Sequence, residues 1–367
     1  MSERIHYIDS TRALASILGI FFHASLVFSN PWLVHVDPAA WSESMREFFR
    51  VFTFFRMPLF LIVSGFFTAY GLNKYAAAAF ARHRARRIVL PFLSALIIFI
   101  PLERCFSLWS HGASIREHLP AYLNPVASEF SLSHLWFLYY IMVFSVVCFI
   151  EWHVYRKYRI AAGNEKPCSA TESILILCLI FVGEQVLTAA AAVFTRNWSV
   201  ESAWLPFMDM ARLFPIFYVG YLCFHRRGLL EKIHSFGPRL LIVGIGAYYP
   251  LNVLAEAGDS WYLSTVVHST LTWTLTLGVF YLIKCTLNFS NPTISYLSQA
   301  SYGVYLFHHP VIVAVAAILI HFFTLRNAWL SYLVLICLSL PLTYALYHLI
   351  VKKTRFGAWL FTGLPMK

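Results

Sequence analysis

Charge is scarce in this sequence. Only 12% of its 367 residues are Asp, Glu, Lys or Arg, about half the share of an ordinary soluble domain. That shortage excludes a conventional soluble fold. The balance is 59% hydrophobic and 17% aromatic residues, with a mean hydropathy of +0.65. Cysteine is sparse too: the seven residues Cys105, Cys148, Cys168, Cys178, Cys223, Cys285 and Cys337 are scattered and form no C-x-x-C pair. Neither a disulfide framework nor a cysteine zinc site follows from them, and small buried apolar side chains are the default reading. The first apolar run has no clear cleavage site after it, so it does not read as a signal peptide. There is no short-period repeat and no low-complexity tail. A basic groove with base-stacking aromatics is also missing, so the formal charge of +11 does not point to nucleic acid.

What is present is a series of apolar segments, each close to the ~20 residues that cross a bilayer as a helix. Ten are expected, roughly at 12–30, 48–70, 88–107, 134–153, 173–194, 206–225, 239–256, 263–287, 300–323 and 329–351. Backbone groups in lipid must be paired internally, so these segments are helices. The expected fold is an all-α polytopic membrane protein of about ten spans, one domain over residues 1–367. Lys and Arg alternate between loops. With the N-terminus in the cytoplasm, about twenty lie on that side and five, Arg46, Arg104, Arg116, Arg196 and Arg326, on the other. The positive-inside rule then makes both termini cytoplasmic.

Ionisable residues inside such segments are functional candidates by default. Arg12 and His23 stand eleven residues apart, which on a helix is three turns plus roughly 20°, one face and about 16 Å of axis. Arg12 then sits at the cytoplasmic surface and His23 near the midplane. Arg56, His308, His309 and Glu184 fall at comparable depth. Together they argue for a polar cavity; the alternative is a set of interhelical hydrogen bonds that fix packing. Pro58 and Ser64–Gly65 read as a kink and a close helix contact. Asp9 reads as a cap of the first helix, Asp209 and Arg212 as an internal pair, and His268 as a structural histidine.

Two features lie at the boundaries. ARHRARRIVLP (81–91) concentrates basic residues on the cytoplasmic side. Topogenic charge explains such a loop, yet Arg84 and Arg87, three apart, could also present one cationic face to a phosphate. HLWFL (134–138) places His134 and Trp136 at the outer boundary, as interface anchors or as a sugar-binding edge.

These motifs, taken in order, resemble the membrane-bound acyltransferase-three family. R-x10-H is matched by Arg12 and His23, and R-x-x-R by Arg84 and Arg87. S-G is matched by Ser64 and Gly65, and the late S-Y-x-x-Y-L-x-H-x-P by Ser301, Tyr302, Tyr305, Leu306, His308 and Pro310. Within the family the chain is most similar to the branch implicated in succinylating osmoregulated periplasmic glucans, through YIDSTRA, FFHASLVFS, FRMPLFLIVSGFF, RARRIVLP, HLWFL and YLFHHP. The resemblance implies a bacterial inner-membrane enzyme that moves an acyl group from cytoplasmic acyl-CoA, here succinyl-CoA, to a periplasmic glucan hydroxyl, with no metal. On that reading Arg84, Arg87 and Arg12 hold the phosphates of CoA. His23 is the general base, and His308 or Ser301 supplies an oxyanion donor. Arg56 takes the succinyl carboxylate, with His309, Glu184, His134 and Trp136 toward the substrate. An acyl-His23 intermediate is equally compatible. An O-acetyltransferase of another extracytoplasmic polysaccharide and, from a different class, a proton-coupled transporter are the competing readings. Oligomeric state is not encoded in any recognisable way.

Overall fold

The computed structural model describes residues 5–29, 33–125, 127, 129–161, 169–198, 206–258, 260–323 and 327–364; Arg4, Lys166, Cys168, Arg326 and Lys367 lie outside them. Every regular element among these residues is helical. In chain order they are α1 (His6–Leu26), α2 (Glu43–Thr53), α3 (Arg56–Lys74), α4 (Ala77–Arg84), α5 (Leu90–Ser110), α6 (Ile115–Leu123) and α7 (Trp136–Ala161). There follow α8 (Ala170–Trp198), α9 (Phe207–His225), α10 (Arg227–Ala257), α11 (Trp261–Thr286), α12 (Pro292–Phe322), α13 (Ala328–Leu346) and α14 (Arg355–Thr362). Nine helical stretches among the described residues are long and apolar enough to cross a bilayer, and the chain is an all-α, multi-pass membrane protein. The expected first span, 12–30, forms α1, whose opening turns carry Asp9, Ser10, Thr11 and Arg12; it is not among the nine.

Local chemistry sets several helix boundaries. The side chains of Asn291, Asn327 and Thr354 accept hydrogen bonds from Ile294 N, Leu330 N and Gly357 N at 2.7, 3.0 and 3.0 Å, each satisfying an orphan donor of a first turn. Pro292 then occupies the first position of α12, where its missing N–H costs nothing.

The expected single helix at 48–70 is instead two, α2 and α3, separated at Phe54–Phe55. Pro58 is the reason: it has no N–H to give the Phe54 carbonyl. It sits in the first turn of α3, and the Phe54 carbonyl accepts from Thr276 Oγ1 at 3.0 Å. The basic loop ahead of α5 is likewise not simple helix but a π-helical turn over Ala85–Val89.

Contacts group the chain into two compact units. The first comprises Met1–Arg12, Phe54–Phe80 and Tyr140–Ser290. Its α3 and α9 meet backbone to backbone. A methyl on Gly65 would strike the Phe217 carbonyl, and one on Gly220 the Ile62 carbonyl. Small residues permit this approach inside a bilayer, and the close contact expected at Ser64–Gly65 is there. Two polar pairs link helices within this unit: His234 with Tyr7 at 3.0 Å and Tyr221 with Glu151 at 2.8 Å. Ile242, Ile245 and Tyr249 of α10 and Leu179 and Val186 of α8 are exposed, as lipid-facing side chains are.

The second unit comprises Ala13–Thr53, Ala81–Tyr139 and Asn291–Lys367. Its centre is α12, which packs on α5 and α13 and buries most of its length. The end of α14 lies against the π turn: a methyl on Gly363, whose φ is +63°, would strike the Arg86 carbonyl. Of the six described cysteines Cys148 and Cys223 are buried, whereas Cys178, Cys285 and Cys337 are exposed rather than core residues.

Candidate active site

Three elements of the second unit bring titratable side chains together around α12. Successive positions of that helix carry His308 and His309, both buried. α5 contributes Glu103, a one-turn 3-10 helix at Ser133–Leu135 contributes Ser133 and His134, and α1 contributes His23. The His23 ring centre lies 4.7 Å from that of His309 and 5.1 Å from that of His308, edge-on to both. His134 stacks on His309 at 5.0 Å.

Glu103 organises this cluster. Its Oε2 accepts from His309 Nδ1 at 2.8 Å and its Oε1 from Ser133 Oγ at 2.6 Å. His134 Nδ1 stands 3.6 Å from the same Oε2. The Glu103, His134 and His309 side chains are 3%, 1% and 5% exposed, so charge among them is poorly screened. Ser133 is held at φ +47°, the left-handed region, which costs a non-glycine residue on the order of 1–3 kcal/mol; its bond to Glu103 helps hold it there. Tyr305 donates its hydroxyl to the His134 carbonyl.

Glu103 has no counterpart among the expected site residues. The available signal was a lone carboxylate inside the apolar segment 88–107. His134 is not a boundary anchor but a full member of the buried cluster. Trp136, in the first turn of α7, lies edge-on to its neighbour Phe137 at 6.0 Å.

The two expected oxyanion donors, His308 and Ser301, each have a backbone carbonyl partner. A carbonyl only accepts, so His308 Nδ1 donates to Tyr305 O at 2.7 Å. Ser301 Oγ donates to Ser298 O at 2.7 Å, about two turns of helix from His308. In this arrangement both side chains place a proton on a backbone carbonyl of α12.

The remaining expected residues are distributed as follows. α1 is one helix from His6 to Leu26, so the axial spacing of Arg12 and His23 is that of the sequence reading; the Arg12 guanidinium lies 5.9 Å from the Phe67 ring centre. Arg84 ends α4, and Arg87 in the π turn donates to the Thr362 carbonyl at 3.1 Å, capping the C-terminal end of α14. Arg56 and Glu184 belong to the first unit. Arg56 is buried at the start of α3. Glu184 accepts from Ser269 Oγ at 2.6 Å and from the Trp273 indole. In the same unit Arg212 bonds the His268 imidazole, which fits the structural reading of His268.

The acyltransferase-domain profile matches residues 5–348. The chain belongs to this acyltransferase family. It is 28% identical to the proteins named glucans biosynthesis protein C of Escherichia coli O139:H28 (strain E24377A / ETEC), strain SMS-3-5 and O81 (strain ED1a), with all of the chain and 96% of each relative aligned. No solved structure matches it significantly. The family and the apolar helices make the chain a membrane acyltransferase.

Proposed function

We propose that this acyltransferase takes a succinyl group from succinyl-CoA on the cytoplasmic side of a bacterial inner membrane and transfers it to hydroxyls of a periplasmic glucan. The observation that carries the reading is the buried meeting of His23, His308, His309, His134 and Glu103 in one unit. The similarity to the glucan biosynthesis proteins supports the acceptor class. The twenty-to-five distribution of Lys and Arg supports an orientation with both termini cytoplasmic.

In this reading the acceptor hydroxyl attacks the thioester carbonyl and its proton passes to His23. The tetrahedral oxyanion collapses, the C–S bond breaks, and the CoA thiolate recovers the proton. Help of this kind contributes about 10²–10⁴-fold. Glu103 orients His309 through its Nδ1–H and offsets positive charge that develops among the imidazoles, the part a buried carboxylate plays beside a catalytic imidazole. Arg84 and Arg87 hold the CoA phosphates. Arg87 places one N–H on the Thr362 carbonyl, and a guanidinium carries five. Arg12 marks the cytoplasmic end of α1, and the ~16 Å to His23 matches the length of a pantetheine arm in order of magnitude. Arg56 is assigned to the free carboxylate of the donor on its bidentate chemistry.

The test has two arms. Glucans extracted from cells with and without the gene are compared by mass and charge; a gene-dependent succinyl increment that makes them anionic is expected. Purified protein given succinyl-CoA and glucan is expected to release free thiol. Neutral, unchanged glucans overturn the acceptor and donor assignment. A thioester left intact by active, reconstituted protein overturns acyl transfer in favour of transport.

A further inference from the structure

Glu103, His134 and His309 each point one ligand atom inward, and those three atoms lie within 4.8 Å of one another. The cysteine spacing gives no hint of such a site, because the three residues come from α5, the turn before α7 and α12. Two imidazole nitrogens and one carboxylate oxygen are the donor set of many catalytic zinc sites, with a fourth position left open. Around a tetrahedral ion at ~2.0–2.1 Å from each ligand, ligand atoms stand about 3.3 Å apart. The separations from Glu103 Oε2, 2.8 Å to His309 Nδ1 and 3.6 Å to His134 Nδ1, bracket that value.

The second observation is His134. Its Nε2 faces the Leu306 carbonyl at 3.2 Å. The carbonyl can only accept, so Nε2 carries the proton and Nδ1 of the neutral ring is a lone pair. That nitrogen is buried without a hydrogen-bond partner and is aimed at a carboxylate oxygen, acceptor against acceptor. At 3.6 Å the gap is too long for a good hydrogen bond and is suited to a cation between them. The surroundings complete the case. The Leu306 carbonyl fixes the His134 tautomer and Ser133 Oγ fixes the Glu103 carboxylate, the outer contacts by which proteins orient metal ligands.

We propose that Glu103, His134 and His309 form a buried site for a divalent cation of the zinc class. Two nitrogen ligands favour zinc over magnesium or calcium. Loading needs the Nδ1 lone pair of His309, so the proton that Nδ1 now shares with Glu103 moves to Nε2 of the same ring, which stays neutral. The ion's chemical role rests on the acyltransfer reading: a Lewis acid beside His23 supplies stabilisation for the oxyanion. Ion binding itself does not depend on that reading.

The experiment uses the full chain purified in detergent without a polyhistidine tag. Metal content is measured by mass spectrometry, then the protein is stripped with a chelator and titrated with zinc alone and with cobalt(II) alone. About one ion per chain is expected, with visible absorption bands of tetrahedral cobalt. Glu103→Gln and His134→Asn are expected to abolish uptake while eluting as folded protein. Should either fail to fold, Ser133→Ala keeps the question open to measurement, with an expected ~10–100-fold loss of zinc affinity. Folded wild-type protein that takes up neither ion, or uptake unchanged in Glu103→Gln, overturns the site. Acyl transfer that persists in chelated, metal-free protein overturns the ion's part in the chemistry and leaves both the site and the enzyme reading standing. Zinc bound by protein that never consumes acyl-CoA upholds the site and refutes the enzyme reading.

Discussion

Replacing Glu103 with glutamine separates the structural from the chemical work of the carboxylate. In the wild type two buried donors end on Glu103, Ser133 Oγ at 2.6 Å and His309 Nδ1 at 2.8 Å. Hydrogen bonds to a charged group contribute about 1.5–3 kcal/mol each and neutral ones about 0.5–1.5 kcal/mol. Glutamine can keep both contacts, with its oxygen toward His309 and its amide toward the Ser133 oxygen. The expected stability loss is therefore about 2–3 kcal/mol. Glu103→Leu leaves both donors buried without an acceptor, at about 1–3 kcal/mol each, and is expected to melt well below the glutamine variant. The charge is another matter. Unit charges about 4 Å apart interact by about 4 kcal/mol at an effective dielectric near 20, which is about 10³ in rate if the positive charge develops only in the transition state. Thiol release from succinyl-CoA, read as kcat, is expected to fall by about that factor in Glu103→Gln, with thermal unfolding followed by circular dichroism on the same samples. A folded glutamine variant with the wild-type rate would refute a part for the Glu103 charge in the chemistry. A glutamine variant as unstable as the leucine one would refute the hydrogen-bond accounting.

Three further outcomes are expected. One alanine inserted between Arg12 and His23 turns their shared face by about 100°, so thiol release should be lost while membrane insertion persists; retained turnover sinks the idea that their spacing positions the donor. Arg56→Leu should impair succinyl-CoA more than acetyl-CoA in parallel kcat/KM measurements, and equal losses on both donors remove its assignment to the succinyl carboxylate. Gly65→Val forces side-chain carbon into the Phe217 carbonyl, an overpacking of at least about 1–3 kcal/mol that should show as lowered thermal stability in detergent; an unchanged melting temperature would mean that α3 and α9 are free to separate.

Much of the fold was legible in the chain. Apolar runs of membrane length have one solution in lipid, the hydrogen-bonded helix, and the expected segments correspond to helices here. Asn291, Asn327 and Pro292 mark helix starts by local chemistry alone. The break at Phe54–Phe55 was half legible. Pro58 announces a missing donor, but whether a helix kinks or stops depends on what receives the stranded carbonyl, and that partner, Thr276, is more than two hundred residues away. The site divided in the same way. His23, His308 and His309 were recognisable, since an imidazole at membrane depth has few reasons to be there.

What the sequence determined by itself is therefore the class of molecule: helices in a bilayer, their approximate limits, and a short roster of ionisable residues too costly to bury idly. The tertiary structure decided which of these lie side by side. It set His134 in the cluster, left Arg56 and Glu184 in the other unit, and made Glu103 the hub. It also gave His308 and Ser301 backbone carbonyl partners. The physical reason is range. Hydropathy and capping are properties of neighbouring residues, whereas a hydrogen-bond partner and a ligand distance are set by helices that meet only when the whole chain has packed.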